Sequence, residues 1–197
     1  MLIKSVSIPN LKNHTDKSPI YPIDDFAQPS NLDIYEHHRI QGGISSFQTA
    51  IVHRAIDGDT IELTNRRRVR LIGINTPEST YKIERYGIEA KSYTEKKLAG
   101  RKVWLEKDVS EYDRYGRLLR IVWLAQPEDD CVEAEIRTKM FNAELLLKGY
   151  AEPSTFPPDV KYSPYFRQFA REARGNQIGL WKFGGKGTTT GDFDFIR

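Results

Sequence analysis

Three short stretches of the chain concentrate acids, arginines and tight turns. The first is Asp57-Gly58-Asp59-Thr60, a turn signal that by itself is ordinary. The second is Val69-Arg70-Leu71-Ile72-Gly73-Ile74-Asn75-Thr76-Pro77-Glu78, an apolar, β-branched run that carries one arginine and stops at Asn-Thr-Pro-Glu. The third is Asp113-Arg114-Tyr115-Gly116-Arg117, a second tight turn that ends in an arginine. A strand bearing Arg70 needs an anion for it, because burying a charge without a partner is costly. That anion is either a neighbouring carboxylate or a bound phosphate. Asn75, the carbonyls around Thr76 and the carboxylate of Glu78 offer oxygens just past the strand. The stretch therefore suits anion binding beside a hard-cation site. A structural strand with an internal Arg70–Glu78 ion pair accounts for the same residues.

The elements that must position these residues follow from the pattern around them. Residues 47–55 read as a strand, residues 60–64 as the next, and the basic turn Asn65-Arg66-Arg67-Arg68 leads into a third over 69–74, giving an antiparallel meander. A helix over 84–99 follows, with Ile88, Tyr93 and Leu98 available for its buried face and Gly100 as its stop. Residues 102–106 and 118–124 are a fourth and fifth strand. The acidic segment 125–138 reads as a solvated loop, 141–148 as a second helix, and 152–163 as a proline-rich loop. Pro164 opens a third helix over 165–174. Five short strands with a helix after the third and two more behind the fifth predict an α+β, mainly β fold: a five-stranded OB-fold barrel with three packed helices.

At 197 residues the chain is long enough for one domain with its own core, and 29% charged against 39% hydrophobic residues reads as soluble and globular. No apolar run approaches membrane-spanning length. No signal peptide is visible, and a cytoplasmic protein is the expectation. The single cysteine, Cys131, excludes an internal disulfide framework and a cysteine-rich zinc site. A net charge of +3 mildly favours a polyanionic partner. Residues 1–46, rich in proline and polar residues without a period, read as a largely irregular extension, 47–181 as the domain, and 182–197 as a flexible, glycine-rich tail. No protein partner is identifiable.

In their order and spacing the three stretches resemble the staphylococcal nuclease (thermonuclease-like) family. The resemblance runs over residues 47–181. It extends through Glu84-Arg85-Tyr86-Gly87-Ile88-Glu89-Ala90, through Asn142-Ala143-Glu144-Leu145-Leu146-Leu147-Lys148-Gly149-Tyr150-Ala151 and to Gly179-Leu180-Trp181. It implies an OB-like barrel with three helices and calcium-dependent cleavage of DNA and RNA. Residue by residue, it implies Asp59 as the carboxylate ligand of Ca2+, Asp57 as a second-sphere acid, and the Thr76 carbonyl as a further ligand. Glu78 would hold or deprotonate the attacking water, Arg70 and Arg117 would grip the scissile phosphate, and Arg114 and Tyr115 would bind an adjacent one. The physics agrees: two guanidiniums and a hard dication stabilise the charge that builds on a phosphoryl group. The chain departs from the pattern at Asn75, where the best-known member has a second aspartate ligand, which predicts weaker calcium binding. It also lacks the tyrosine pair of the loop after the second helix, where Phe156 is the ring that would stack on a base.

The remaining features have ordinary readings. His37-His38 do not share a face, His53 is a strand residue, and Trp104, Trp123 and Trp181 belong to the core. Arg66-Arg67-Arg68 reads as a solvated charge run rather than a backbone-tracking patch. Against the nuclease stands a non-catalytic OB-fold module that binds nucleic acid or protein. Such a module has no need of the set Asp59, Arg70, Glu78 and Arg117.

Overall fold

The computed structural model describes residues 46–80 and 83–183. The expected extension up to residue 45 and the tail from 184 lie outside the described residues. β1 (Phe47–Asp57) pairs antiparallel with two partners. Its first half lies against β5 (Lys102–Glu106) and its second half against β2 (Thr60–Leu63). Register shifts between Val52 and Arg54 and between Ala55 and Asp57 bend it from one to the other. β2 pairs with β3 (Arg68–Leu71), β3 lies parallel to β6 (Leu118–Trp123), and β6 returns antiparallel to β5. The order β1-β2-β3-β6-β5 closes into a barrel filled by Val52, Ile61, Val69, Leu71, Val103, Leu118, Val122 and Trp123.

The third strand does not run through to residue 74. It breaks after Leu71, and β4 (Gly73–Asn75) leaves the barrel to pair with β7 (Glu152–Ser154). Gly73 makes the corner possible. Its φ is 77°, and a β-carbon there would meet the Phe166 ring at 2.4 Å. The stretch expected as loop from 152 to 163 therefore opens with a three-residue strand, tolerated despite Pro153 because β4 and β7 form a two-stranded sheet apart from the barrel.

Among the described residues four α-helices pack on this frame rather than three. α1 (Gly87–Leu98) lies on β1 and buries Gly87, Ala90, Thr94 and Leu98, whereas Ile88 points to solvent. The acidic segment expected as loop holds α2 (Glu133–Lys139). α3 (Phe141–Leu147) and α4 (Ser163–Gly175) pack on each other, with Phe166, Phe169, Ala170 and Ala173 of α4 buried. The N-terminal end of α4 is tied to the barrel through buried Glu106. It accepts hydrogen bonds from Trp123 Nε1 at 2.8 Å and the Tyr162 hydroxyl at 3.0 Å, and pairs with Lys161 Nζ at 2.5 Å. Trp123 and Trp181 are core residues as expected, while Trp104 is half-buried beneath Lys102. Among the described residues, no helix is long and apolar enough to cross a membrane.

Candidate active site

The β1–β2 turn carries the first two acids. Thr94 Oγ1 of α1 donates to the Gly58 carbonyl at 2.6 Å, which ties the turn down from behind. Asp59 is buried and fully engaged. Its Oδ1 accepts from the Thr60 hydroxyl at 3.0 Å and its Oδ2 from the Thr76 backbone N–H at 2.9 Å. The β2–β3 register sets Thr60 directly opposite Arg70, and this brings Arg70 Nη2 to 3.2 Å from Asp59 Oδ2. The same guanidinium reaches forward over the β3–β4 corner. It donates to the Leu71 carbonyl, to the Ile74 carbonyl at 2.9 Å and to Asn75 Oδ1 at 2.8 Å. The anion of Arg70 inside the protein is thus Asp59, not Glu78.

Beyond β4 the chain turns back on itself. Glu78 Oε1 accepts from Ser79 N–H at 3.1 Å, Thr80 N–H at 2.8 Å and the Thr80 hydroxyl at 2.7 Å. Burial works against its charge, but these donors and a hydrogen bond with Asp57 outweigh it, and the Glu78 pKa lies below the ordinary value. Asp57 is moved the other way. Burial raises it to about 6, against the Ser79 hydroxyl at 2.6 Å and the Gly58 N–H at 2.8 Å, which favour its charge. Two neighbouring carboxyls are thereby driven apart, one ionised and one poised to hold a proton. The segment is closed onto the turn that leads into α1, since Glu78 N–H donates to Glu84 and the Glu78 carbonyl accepts from Glu84 N–H. A β-carbon on Gly87 would meet that same carbonyl at 2.3 Å, so no larger residue fits the first position of α1.

The third turn folds around Asp113. Its Oδ1 accepts from the backbone N–H of Tyr115 and of Arg117, both at 2.9 Å, and its Oδ2 takes Arg117 Nε at 2.6 Å. Burial opposes the charge of Asp113, yet these bonds hold its carboxyl below the ordinary value. So fixed, Arg117 Nη1 reaches Thr60 Oγ1 at 3.4 Å, and Thr60 in turn donates to Asp59. Tyr115 is 67% exposed, with the Arg114 guanidinium 4.7 Å and that of Arg117 5.4 Å from its ring centroid. This exposed ring between two cations is built to receive a planar or anionic group.

The structure brings Asp57, Asp59, Arg70, Asn75, Thr76, Glu78 and Arg117 into one hydrogen-bonded neighbourhood, with Arg114 and Tyr115 at its rim. Phe156 is placed elsewhere. In the β4–β7 register Ser154 faces Gly73, so the chain reaches Phe156 at the end of the sheet away from Asn75, on an exposed turn bridged to Asp159. Asn75 donates from Nδ2 to the Thr76 carbonyl at 3.2 Å, while the Thr76 hydroxyl is buried with no hydrogen-bond partner. The Asp59 carboxylate, the Thr76 carbonyl and this orphaned hydroxyl are the oxygen donors a hard cation takes. A separate group of Asp129, Asp130 and Cys131 lies in the segment before α2. There burial and Asp130 push the Cys131 thiol up to about 11, which leaves it unreactive, and Asp130 is paired with Lys161 at 2.7 Å.

Of the basic run, Arg66 pairs with Glu62 at 3.2 Å and Arg67 Nη2 donates to the Tyr112 hydroxyl at 2.8 Å. Among the uncharged residues that hold the site, Thr94, Ser79 and Thr80 attracted no attention in the sequence, and Asn142 entered only as part of a stretch shared with the family, with no role assigned. Buried Asn142 of α3 accepts from Val122 N–H and donates to the Ile72 carbonyl, both at 2.9 Å, and so fastens the corner from which β4 departs.

A closed five-stranded barrel with a β4–β7 sheet, carrying acids and arginines on its β1–β2 turn, its β3–β4 corner and the turn before β6, defines an OB-like protein with a polar site on one edge. The family model described as staphylococcal nuclease homologue matches residues 68–183, and the chain belongs to that family. It is 36% identical over 141 residues to the thermonuclease of Staphylococcus intermedius, which covers 68% of this chain and 77% of that protein. The thermonuclease of Staphylococcus hyicus is 35% identical over 140 residues, covering 68% and 76%. The SPbeta prophage-derived endonuclease YokF of Bacillus subtilis (strain 168) is 30% identical over 146 residues, covering 70% of this chain and 45% of that one.

Proposed function

We propose that this protein is a calcium-dependent nuclease that hydrolyses phosphodiester bonds of DNA and RNA with little regard for the sugar. The observation that carries the reading is the convergence of Arg70 and Arg117 on Asp59 through Thr60, beside an ionised Glu78. Guanidinium forks match phosphoryl oxygens in pairs. Arg70 already grips carbonyl and carboxamide oxygens, so an incoming phosphate would exchange like for like. Asp59 and Thr76 would hold the calcium ion, whose charge would stabilise the pentavalent phosphoryl group. Glu78, held by Ser79, Thr80 and a hydrogen bond with Asp57, would orient a water and relieve it of a proton. Arg114 and Tyr115 would seat the neighbouring nucleotide.

The test is digestion of single-stranded DNA, duplex DNA and RNA by the full chain, with calcium and with a chelator, beside Glu78→Gln. Cleavage that needs calcium and falls by about 10²-fold or more in the variant supports the assignment. Binding of DNA without cleavage at any calcium concentration would instead mark a binding module on the same barrel.

A further inference from the structure

The face of β3 that presents Arg70 continues beyond the site. Val69 and Leu71 fill the barrel, so Arg68 and Arg70 alternate with them onto the outside, about 7 Å apart along the strand. The parallel β3–β6 register, carried one residue back from the Val69–Leu118 pair, sets Arg68 beside Arg117. Across the β2–β3 ladder Arg68 is opposed to Glu62, but that carboxylate is shared by Arg54 at 3.3 Å and Arg66 at 3.2 Å. Arg68 is exposed, and among the described residues it has no hydrogen bond or ion pair from its side chain. Arg67 donates from Nη2 to the Tyr112 hydroxyl at 2.8 Å and lies 5.8 Å from the centroid of its ring. Tyr112 bridges to Leu118, which puts this pair at the base of the turn that carries Arg114 and Tyr115. Glu111, which feels the charge of Arg67, is itself paired with Arg120 and with Lys107 at 3.7 Å. Tyr112 is 51% exposed, so a cation beside an exposed ring occurs twice around this turn, as Arg114–Tyr115 and as Arg67–Tyr112. Arginines crowded around one shared acid repel one another, and a polyanion relieves that repulsion.

We propose that Arg68, Arg67 and Tyr112 form a second subsite for a single-stranded polynucleotide, reached by the strand as it leaves Arg70 and Arg117. Arg68 and Arg67 take successive phosphates and Tyr112 stacks on a base, the combination by which single strands are held without regard to sequence. Arg66, committed to Glu62, stands outside the subsite. This rests on the nuclease reading above and adds a substrate preference to it. A strand with unpaired bases is held more tightly than a duplex, whose bases are stacked inside and offer Tyr112 no face.

The experiment is fluorescence anisotropy of a labelled single-stranded DNA of about ten nucleotides, and of its duplex, with the full chain in chelator at several salt concentrations. It compares wild type, the double variant Arg67→Ala/Arg68→Ala, Tyr112→Ala and Tyr112→Phe, with digestion of the same strand in calcium alongside. The three side chains are exposed, so each variant keeps its fold, which thermal melts check. Removing both arginines should lower the salt slope by about 1.4, two single-strand phosphates at about 0.7 each. Tyr112→Ala should weaken binding of the single strand by about tenfold and of the duplex by less than about threefold. Tyr112→Phe, which keeps the ring and loses the bond to Arg67, should bind the single strand within about threefold of wild type. Wild-type slope in the arginine variant and wild-type affinity in Tyr112→Ala, with the strand still cut in calcium, overturn the subsite and leave the nuclease reading standing. Equal losses from Tyr112→Phe and Tyr112→Ala also overturn it, because the hydroxyl rather than the ring would then matter. A strand that wild type neither binds nor cuts overturns both readings.

Discussion

Asn142→Ala tests the claim that the site hangs from an uncharged clamp. The side chain is fully buried, and its two hydrogen bonds, each 2.9 Å, join Val122 of β6 to Ile72 at the β3–β4 corner. Alanine removes both and strands a buried N–H and a buried carbonyl. Each such group costs about 1–3 kcal/mol, the carbonyl toward the lower end because it has two lone pairs to satisfy elsewhere. The sum is about 2–5 kcal/mol. For a chain of this size that is a fall in Tm of roughly 5–15 °C. Urea denaturation in chelator measures it without any contribution from bound metal. Asn142→Asp separates the two bonds. Its carboxylate still accepts from Val122 but has no hydrogen for Ile72, and burial raises its pKa above the unfolded value. The folded variant then holds a proton that the unfolded chain has lost, so the penalty grows as pH rises from about 4 and is smallest in acid. A loss below about 1 kcal/mol for alanine, or an aspartate penalty independent of pH, would refute the clamp.

Arg117→Lys keeps the charge but loses the fork that spans Asp113 and Thr60, and should lower kcat/KM by about 10²–10³ with little change in Tm; a loss under threefold would remove Arg117 from the phosphate site. Arg66→Ala should leave the salt dependence of DNA binding unchanged, because that guanidinium is committed to Glu62; a slope smaller by about one would show that it meets a phosphate. Asp57, raised in the fold from 3.8 to about 6, binds more protons folded than unfolded between those values, so its own contribution to stability in chelator should fall across pH 4–6 and give wild type a less positive slope than a variant without it. Asp57→Asn, which keeps the acceptor for Gly58 and Ser79, should lose that slope, and parallel profiles of the two proteins would contradict the raised carboxyl.

The barrel strands were legible because each is a short alternating or apolar run bounded by turn residues, and those signals are local. What escaped was set by distance or by size. α2 buries only Ile136, so it has no hydrophobic period to read. Its support is in charge: Glu133 with Arg137 at 2.6 Å and Glu135 with Lys139 at 2.5 Å, four apart in each case, a pattern visible in the sequence but masked by the overall acidity of the segment. Of the positions expected on the buried face of α1, Leu98 is buried and Tyr93 packs against the core, but Ile88 is exposed, because bulk alone does not mark the inner positions. The helix lies so close on β1 and the site that its inner positions are Gly87, Ala90 and Thr94, and Ile88 is left outside. The break at Gly73 looked like continuity because the residues on both sides are apolar.

The site divides in the same way. Its acids and arginines were conspicuous by type, since charge in a strand or at its end demands a partner. Which partner was not legible. Arg70 meets Asp59 because β2 and β3 pair with Thr60 opposite Arg70, and that register is fixed by the packing of the whole barrel. Thr94, Ser79 and Thr80 could not be singled out at all, and Asn142 only as part of a family stretch without a role, because a serine, threonine or asparagine that bonds a nearby group is what any loop or helix contains. Here they decide the chemistry. Thr94 and Asn142 bond backbone groups behind the site, and Ser79 and Thr80 donate to the carboxyls of Asp57 and Glu78, so under the proposed nuclease reading these carboxyls would be held before any substrate arrives rather than ordered by it.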